Sequence, residues 1–219
     1  MENEKGESDM IEVRSSYLVR MAEVNRAAEM WRQSRDQIWP LLGWTGRVEQ
    51  MLHGKAQQST FVWSSEWENL AAWEAGMART RDHQEYQEFS REFNEIRTYG
   101  TEREVFRIIE PSHRIETTSG AVEVRSSYLV PMTKVAQAES VARRGQETIW
   151  PLLGWGGQNQ QMLHGKNAQS AFVWSSVWPS LGEWEAAMAR TGGPEFQAWF
   201  SDWRDCVDFG GEREIFRIL

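Results

Sequence analysis

Apolar and polar residues alternate along 11–20 (I-E-V-R-S-S-Y-L-V-R), with Val13, Ser15, Tyr17 and Val19 on one face and Arg14, Ser16 and Leu18 on the other. A period of two is the signature of a β-strand. The spacing then changes. Val24, Ala27, Trp31 and Ile38 fall at helical intervals, which predicts a helix over 22–38 that Pro40 ends. Residues 46–55 and 59–65 read as two more strands, and the short polar link 56–58 suits a hairpin between them. Ser65 and Glu68 stand at capping-box spacing and predict a helix start, with Leu70, Trp73 and Met77 on the buried face. A second helical run carries Tyr86, Phe89, Phe93 and Ile96 on one face, and Gly100 opens a last strand, T-E-R-E-V-F-R-I-I.

The whole pattern then repeats. W-P-L-L-G-W, Q-M-L-H-G-K and F-V-W-S-S occur twice, so that His53 and His164 stand 111 residues apart. The closing strand recurs as G-E-R-E-I-F-R-I-L at an offset of 110, so one residue is lost before the last helix of the second copy. The chain is a tandem duplication: an acidic tail over 1–10, repeat 1 over 11–109, a Pro- and Gly-containing linker over 110–121, and repeat 2 over 122–219. Each repeat runs strand, helix, strand, strand, helix, strand. That order makes an α+β, ferredoxin-like unit with helices on one sheet face and the other face bare. Two such units cover each other by packing sheet to sheet, and the tether keeps the halves at high effective concentration.

Composition narrows the function classes. The 219 residues include 13 Trp, which suggest large cores or aromatic-lined pockets. The net charge of −8, without a basic block, argues against nucleic acid. Cys206 is the single cysteine, so no internal disulfide forms. No apolar run reaches the length of a membrane span, and the start of the chain is too acidic for a leader; the expectation is a cytoplasmic protein. Nucleotide, P-loop and nucleophile-elbow motifs are absent.

The topology, with the strand–helix block F-V-W-S-S-x-W-x-x-L-x-x-W-E-x-x-M, resembles the dimeric α+β barrel superfamily. That group includes antibiotic-biosynthesis-monooxygenase-type, NIPSNAP-like and stress-responsive barrel proteins. The resemblance covers nearly all of the chain after the tail. It implies a fused barrel with pseudo-twofold symmetry and sites between sheet and helices near the third strand. It also implies cofactor-free oxygenation or cyclisation of aromatic polyketides, with haem as the alternative where one axial His is present.

Comparison of the two halves singles out residues. Their first helices have diverged almost completely, so identity retained elsewhere needs a reason. His53 and His164 are candidate acid–base groups or axial haem ligands, set against satisfied structural histidines. The following Gly54 and Gly165 either admit a ligand or mark a bulge. Tyr17 and Tyr128 are candidates to stabilise an enolate oxygen. Lys55 and Lys166 read as substrate-binding or as solvated edge lysines, the second favoured. Trp63, Trp174, Phe61 and Phe172 either wall an aromatic pocket or pack the core. W-P-L-L-G-W reads as a structural corner. Arg14, Arg125, Arg103, Arg107, Arg213 and Arg217 are expected to meet between the halves as salt bridges. No metal site is expected. The sequence leaves three readings: an enzyme acting on an aromatic small molecule by His chemistry, a non-catalytic binding barrel, and a haem protein. It leaves open a further homodimer.

Overall fold

The computed structural model describes residues 10–54, 59–113, 118–166 and 170–219. Repeat 1 supplies β1 (Ile11–Val19), α1 (Val24–Gln33), α2 (Trp39–Leu42), β2 (Arg47–His53), β3 (Thr60–Trp67), α3 (Leu70–Ala78), α4 (Gln84–Ile96) and β4 (Arg97–His113). Repeat 2 supplies β5 (Val122–Leu129), α5 (Val135–Arg144), α6 (Trp150–Leu153), β6 (Gly157–His164), β7 (Ala171–Trp178), α7 (Leu181–Met188), α8 (Pro194–Cys206) and β8 (Phe209–Ile218). The strands close into one antiparallel barrel in the order β1-β3-β2-β8-β5-β7-β6-β4. Within each repeat this is the ferredoxin-like order, and the halves join where β2 pairs with β8 and β4 with β6. Among the described residues every strand has a neighbour on both sides. The helices lie outside, one aromatic core per repeat.

Strand alternation gives the barrel two unlike surfaces. Val13, Tyr17, Phe61 and Trp63 face the helices. The opposite parity faces the lumen, which holds the buried Glu12, Glu49, Glu123, Arg14 and Arg125 with the half-buried Arg47. Arg47 Nε donates to Glu49 Oε1 at 2.5 Å, and its Nη2 to Glu123 Oε1 at 3.1 Å. Arg125 donates to Glu12 Oε1 at 2.9 Å and to Gln160 Oε1 at 2.8 Å. Gln158 Nε2 donates to Glu12 at 2.9 Å, Ser64 Oγ donates to Glu49 at 3.0 Å, and Ser175 Oγ donates to Glu123. The two halves also interlock crosswise: Arg14 of repeat 1 lies over the Phe216 ring of repeat 2 at 5.0 Å, and Arg125 of repeat 2 over Phe106 of repeat 1 at 5.3 Å. Removing one member of such a network strands a buried charge and costs about 3–5 kcal/mol.

Four of the arginines expected to meet between the halves lie outside the lumen, and of these Arg107 still joins the halves in a salt bridge to Glu139. Register decides it: Glu104 sits opposite Arg14, whereas Arg103 sits opposite Ser15 and Arg107 opposite Ile11. Arg213 and Arg217 likewise sit opposite Ser126 and Val122. All four share the helix-side face, and Arg107 reaches Glu139 on α5 at 2.6 Å.

Other local departures have clear causes. Pro40 does not end the first helix. A widened turn over 34–38 precedes it, closed by the Trp39 N–H on the Ser34 carbonyl, and the chain then completes α2 with Pro40 near its start. A proline in the first turn lacks only an N–H that would have no partner there. Gly43, at φ 65°, supplies the stop. Repeat 2 reproduces the device, with Trp150 bonding Gly145 and Gly154 ending the turn. Ser65 is not the cap of α3. It lies inside β3, accepting from Trp67 Nε1 at 2.9 Å, and the cap is Asn69, whose Oδ1 accepts from the Ala72 N–H. Leu70 is exposed rather than core. β4 runs on to His113, into the stretch read as linker, because it must span both β1 and β6.

The lumen makes stability depend on pH. Burial and the neighbouring Glu123 carboxylate push Glu49 up to about 8 from 4.5. Glu12 and Glu123 are held low against the cost of burial, Glu123 by Arg47 first and Glu12 by Arg47 and then Arg125. A carboxyl raised in the folded state binds its proton more tightly there, so stability falls as pH rises between about 4.5 and 8. For Glu12 and Glu123 the sign is opposite, and their contribution is lost on acidification. Repeat 2 carries Gln160 where repeat 1 carries Glu49. Glu49→Gln is therefore expected to fold and to flatten the loss of stability between about pH 5 and 8, measured by urea unfolding across that range. An unchanged slope would remove Glu49 as its source.

Candidate functional site

Two equivalent openings lie between the sheet and the helices, one per repeat. In repeat 1, Tyr17 from β1 and Trp63 from β3 form the floor. Trp31 from α1, Trp39 and Trp44 from the corner, and Phe89 and Phe93 from α4 form the walls, around about 140 Å³. In repeat 2, Tyr128, Trp174, Trp150 and Trp155 hold the matching places, and Phe196 and Phe200, which stand where repeat 1 has Tyr86 and Ser90, complete the walls around about 300 Å³.

The difference in size has a residue-level cause. Trp44 stacks on Trp63, centroids 4.5 Å apart and planes 25° from parallel, and its N–H donates to the Gly76 carbonyl at 3.1 Å. A methyl at Gly76 would come within 2.4 Å of the Trp67 ring. Repeat 2 has Ala187 in that place. Among the described residues Trp155 makes no such stack on Trp174, its N–H has no hydrogen-bond partner, and the cavity lies between the two rings. On the inner side the packing is exchanged rather than lost: Trp31 and Phe89 of repeat 1 become Ala142 and Trp199, and Gly145 makes room for Trp199, whose ring lies 2.6 Å from where a methyl would sit.

Ser34, Ser90, Asn94, Arg97 and Arg103 line the first cavity, and Ser126, Ser176, Thr191, Gln197, Arg204 and Arg213 the second. The buried indole N–H groups of Trp150, Trp155 and Trp174 in repeat 2, and of Trp31, Trp39 and Trp63 in repeat 1, lack hydrogen-bond partners within the protein. An unpaired buried donor costs about 1–3 kcal/mol. Arg213 lines the larger cavity with its guanidinium over the Trp184 ring at 5.5 Å, and Arg204 lies over Phe200 at 5.6 Å. Burial pushes the Tyr128 phenol up to about 12. It is therefore a neutral donor at physiological pH and not a base.

The structure brings Tyr17 with Trp63, and Tyr128 with Trp174, into these cavities. Phe61 and Phe172 are fully buried in the aromatic cores and line neither. His53 and His164 are exposed at the ends of β2 and β6, away from both cavities. Each lies at a register shift and is followed by a glycine, Gly54 at φ 150° and Gly165 at φ 137°, so the repeated H-G reports a bulge at a strand end. Lys166 is exposed, and Lys55 lies outside the described residues. Sequence reasoning set aside Trp39, Trp44, Trp150 and Trp155 as a corner; they are at once the corner and a cavity wall. It did not single out Phe196 and Phe200. The duplication of W-P-L-L-G-W was the available signal. Among the described residues no group of three or more metal-ligating side chains gathers, and no helix is long and apolar enough to cross a membrane.

No protein-family model matches the chain, and no curated protein matches it in sequence. Solved structures do match in fold. A protein provisionally named a monooxygenase from Fusobacterium nucleatum superimposes with a TM-score of 0.72 at 10% identity, over 97% of this chain and 93% of its own. Another so named, from Lactobacillus acidophilus, gives 0.70 at 8% identity over 96% and 93%. An anthrone oxidase-like protein gives 0.60 at 14% identity over 97% and 92%. The shared fold is a closed antiparallel α+β barrel, with two ferredoxin-like halves in one chain.

The raised Tyr128 phenol is open to measurement. In a titration followed at the phenolate absorbance, the difference between the parent chain and Tyr128→Phe should show ionisation only near pH 12. A transition at the ordinary phenol value would show that the ring is solvated.

Proposed function

We propose that the chain binds a flat polycyclic aromatic compound carrying carbonyl or phenolic oxygens in the repeat 2 cavity, and that it is a cofactor-free monooxygenase acting on that compound. The observation that carries this reading is the set of unpartnered indole N–H groups of Trp150, Trp155 and Trp174 around about 300 Å³ of space walled by aromatic rings. Flat walls accept a flat ligand by stacking and dispersion. Donors without acceptors call for a ligand that supplies oxygens. The shared fold with proteins named for monooxygenase and anthrone oxidase-like activity is an analogy that agrees with it.

The chemistry follows from where charge develops. Loss of a proton from a CH2 beside the aryl carbonyl makes an enolate. Its oxygen is held by indole N–H groups, by the neutral Tyr128 phenol and by the positive field of Arg213, all stronger in a water-poor cavity. The carbanion passes one electron to molecular oxygen, and the resulting radical and superoxide combine to form a carbon–oxygen bond. Protonation gives a hydroperoxide. Loss of the second C–H proton with cleavage of the O–O bond then releases water and leaves a new carbonyl. The sum is CH2 plus O2 to C=O plus H2O, in which the substrate supplies all four electrons. No histidine lines either cavity among the described residues. The protons in this reading leave to solvent at the cavity mouth, and the lining offers a haem no axial imidazole.

Oxygen uptake with anthrone in the presence of a chelator tests the reading. Uptake should exceed that with heat-denatured protein, and Trp174→Phe, which keeps the ring and deletes the donor, should slow it roughly tenfold or more. Anthrone binding without uptake, or uptake unchanged in Trp174→Phe, would overturn the oxygenase assignment.

A further inference from the structure

The repeat 1 cavity is more than a closed copy of the other. Its volume, about 140 Å³, is too small for a polycyclic compound but matches one benzene-sized ring, since an apolar cavity of about 150 Å³ takes up benzene. Its unpartnered groups form a consistent set. The indole N–H groups of Trp31, Trp39 and Trp63 and the Ser34 hydroxyl are all buried there without a hydrogen-bond partner within the protein. Indole nitrogens only donate, so the ligand must bring acceptor oxygens. The charge at the site is one-signed. Arg97 and Arg103 line the cavity, both pull the Tyr86 phenol downward against the effect of its burial, and no aspartate or glutamate is among the lining residues.

Repeat 2 differs in the residues that shape the space. Arg97 is replaced by Val207, Trp31 by Ala142 and Ser34 by Gly145. Repeat 2 also carries two guanidinium groups, Arg204 and Arg213, and three unpartnered indoles, so the two sites are told apart by the size of the space. A ring-sized space, a cluster of donors without acceptors and two guanidinium groups together describe a receptor for a planar ring bearing a carboxylate.

We propose that repeat 1 holds a second binding site, for a single-ring aromatic carboxylate, separate from the polycyclic site of repeat 2. The ring lies in the space that Trp31, Trp63 and Phe89 line, and the carboxylate takes hydrogen bonds from indole N–H groups on the side of Arg97 and Arg103. The site does not depend on the oxygenase reading, because the two cavities are lined by different repeats.

The full chain titrated with 4-fluorobenzoate and followed by fluorine NMR tests this. Saturable binding of one equivalent per chain is expected. Fluorotoluene, which has the ring without the acceptor oxygens, should bind at least about tenfold more weakly. Arg97→Gln and Trp63→Phe should each weaken fluorobenzoate binding about tenfold, whereas Trp174→Phe in repeat 2 should leave it unchanged. If Trp63→Phe does not fold, as judged by its near-ultraviolet circular dichroism, the half-buried Arg97→Gln decides. No saturable binding at millimolar ligand, equal binding of fluorotoluene, or loss of binding in Trp174→Phe alone would overturn the proposal. Oxygen uptake with anthrone, read in the same samples, separates the two readings: its absence with fluorobenzoate binding retained removes the oxygenase and leaves this site.

Discussion

Six interlocked acidic and basic side chains inside a closed barrel are the constraint on which the rest of the molecule depends. Two carboxylates, Glu12 and Glu123, the raised carboxyl of Glu49 and three guanidinium groups, with Gln158, Gln160, Ser64 and Ser175, fill the lumen at its centre. No half can satisfy them alone: Arg125 of repeat 2 binds Glu12 of repeat 1, and Arg47 of repeat 1 binds Glu123 of repeat 2. Opening the barrel would strand charges in a partly apolar interior, where the penalty exceeds that of breaking any surface ion pair. The two ferredoxin-like units are therefore one cooperative body, and the register of all eight strands is pinned by which residues reach those partners.

With the lumen committed to charge, only the outer face of the sheet is available to an apolar ligand. Strand parity sends Tyr17, Trp63, Tyr128 and Trp174 outward, where the helices roof them, and sends Glu12, Arg14, Glu49 and Arg125 inward. The widened turn before each W-P-L-L-G-W sets the height of that roof. It adds a residue to the helix, brings Trp39 or Trp150 over the sheet, and lets a positive-φ glycine turn the chain toward Trp44 or Trp155. A cavity results where large flat rings meet at angles that cannot all be close-packed.

Much of the fold was legible in the sequence because it rests on periodicity. The alternation in 11–20, the helical spacing of Tyr86, Phe89, Phe93 and Ile96, and the 111-residue repeat each survive as β1, α4 and the pseudo-twofold barrel. The parts that were not legible depend on register and on backbone that periodicity does not encode. Arg103 and Arg14 differ in face by a one-residue pairing offset that only the ladder shows. The helix continues past Pro40 because a turn of unusual width precedes it. The site was half legible. Trp63, Trp174 and the tyrosines stood out by position on strands, whereas the corner tryptophans looked fully employed as structure. His53 and His164 drew attention by being retained together, and the glycines beside them account for that with strand-end geometry.

The lumen is not symmetric, and that has a consequence for what a fused chain can do. Repeat 1 contributes Arg47 and Glu49; at the same places repeat 2 contributes Gln158 and Gln160. Two identical subunits would carry every substitution twice, so a change near the axis would meet its own copy. An ion pair at these positions would put two more charges into an already crowded interior, and two glutamine pairs would remove the charges that hold Glu12 and Glu123. A single chain escapes that doubling. It can keep the pair on one side and a neutral pair on the other, and the same freedom lets Trp44 close down on Trp63 while Trp155 stands away from Trp174. Covalent linkage here acts less as a tether than as a licence for the two halves to become different parts.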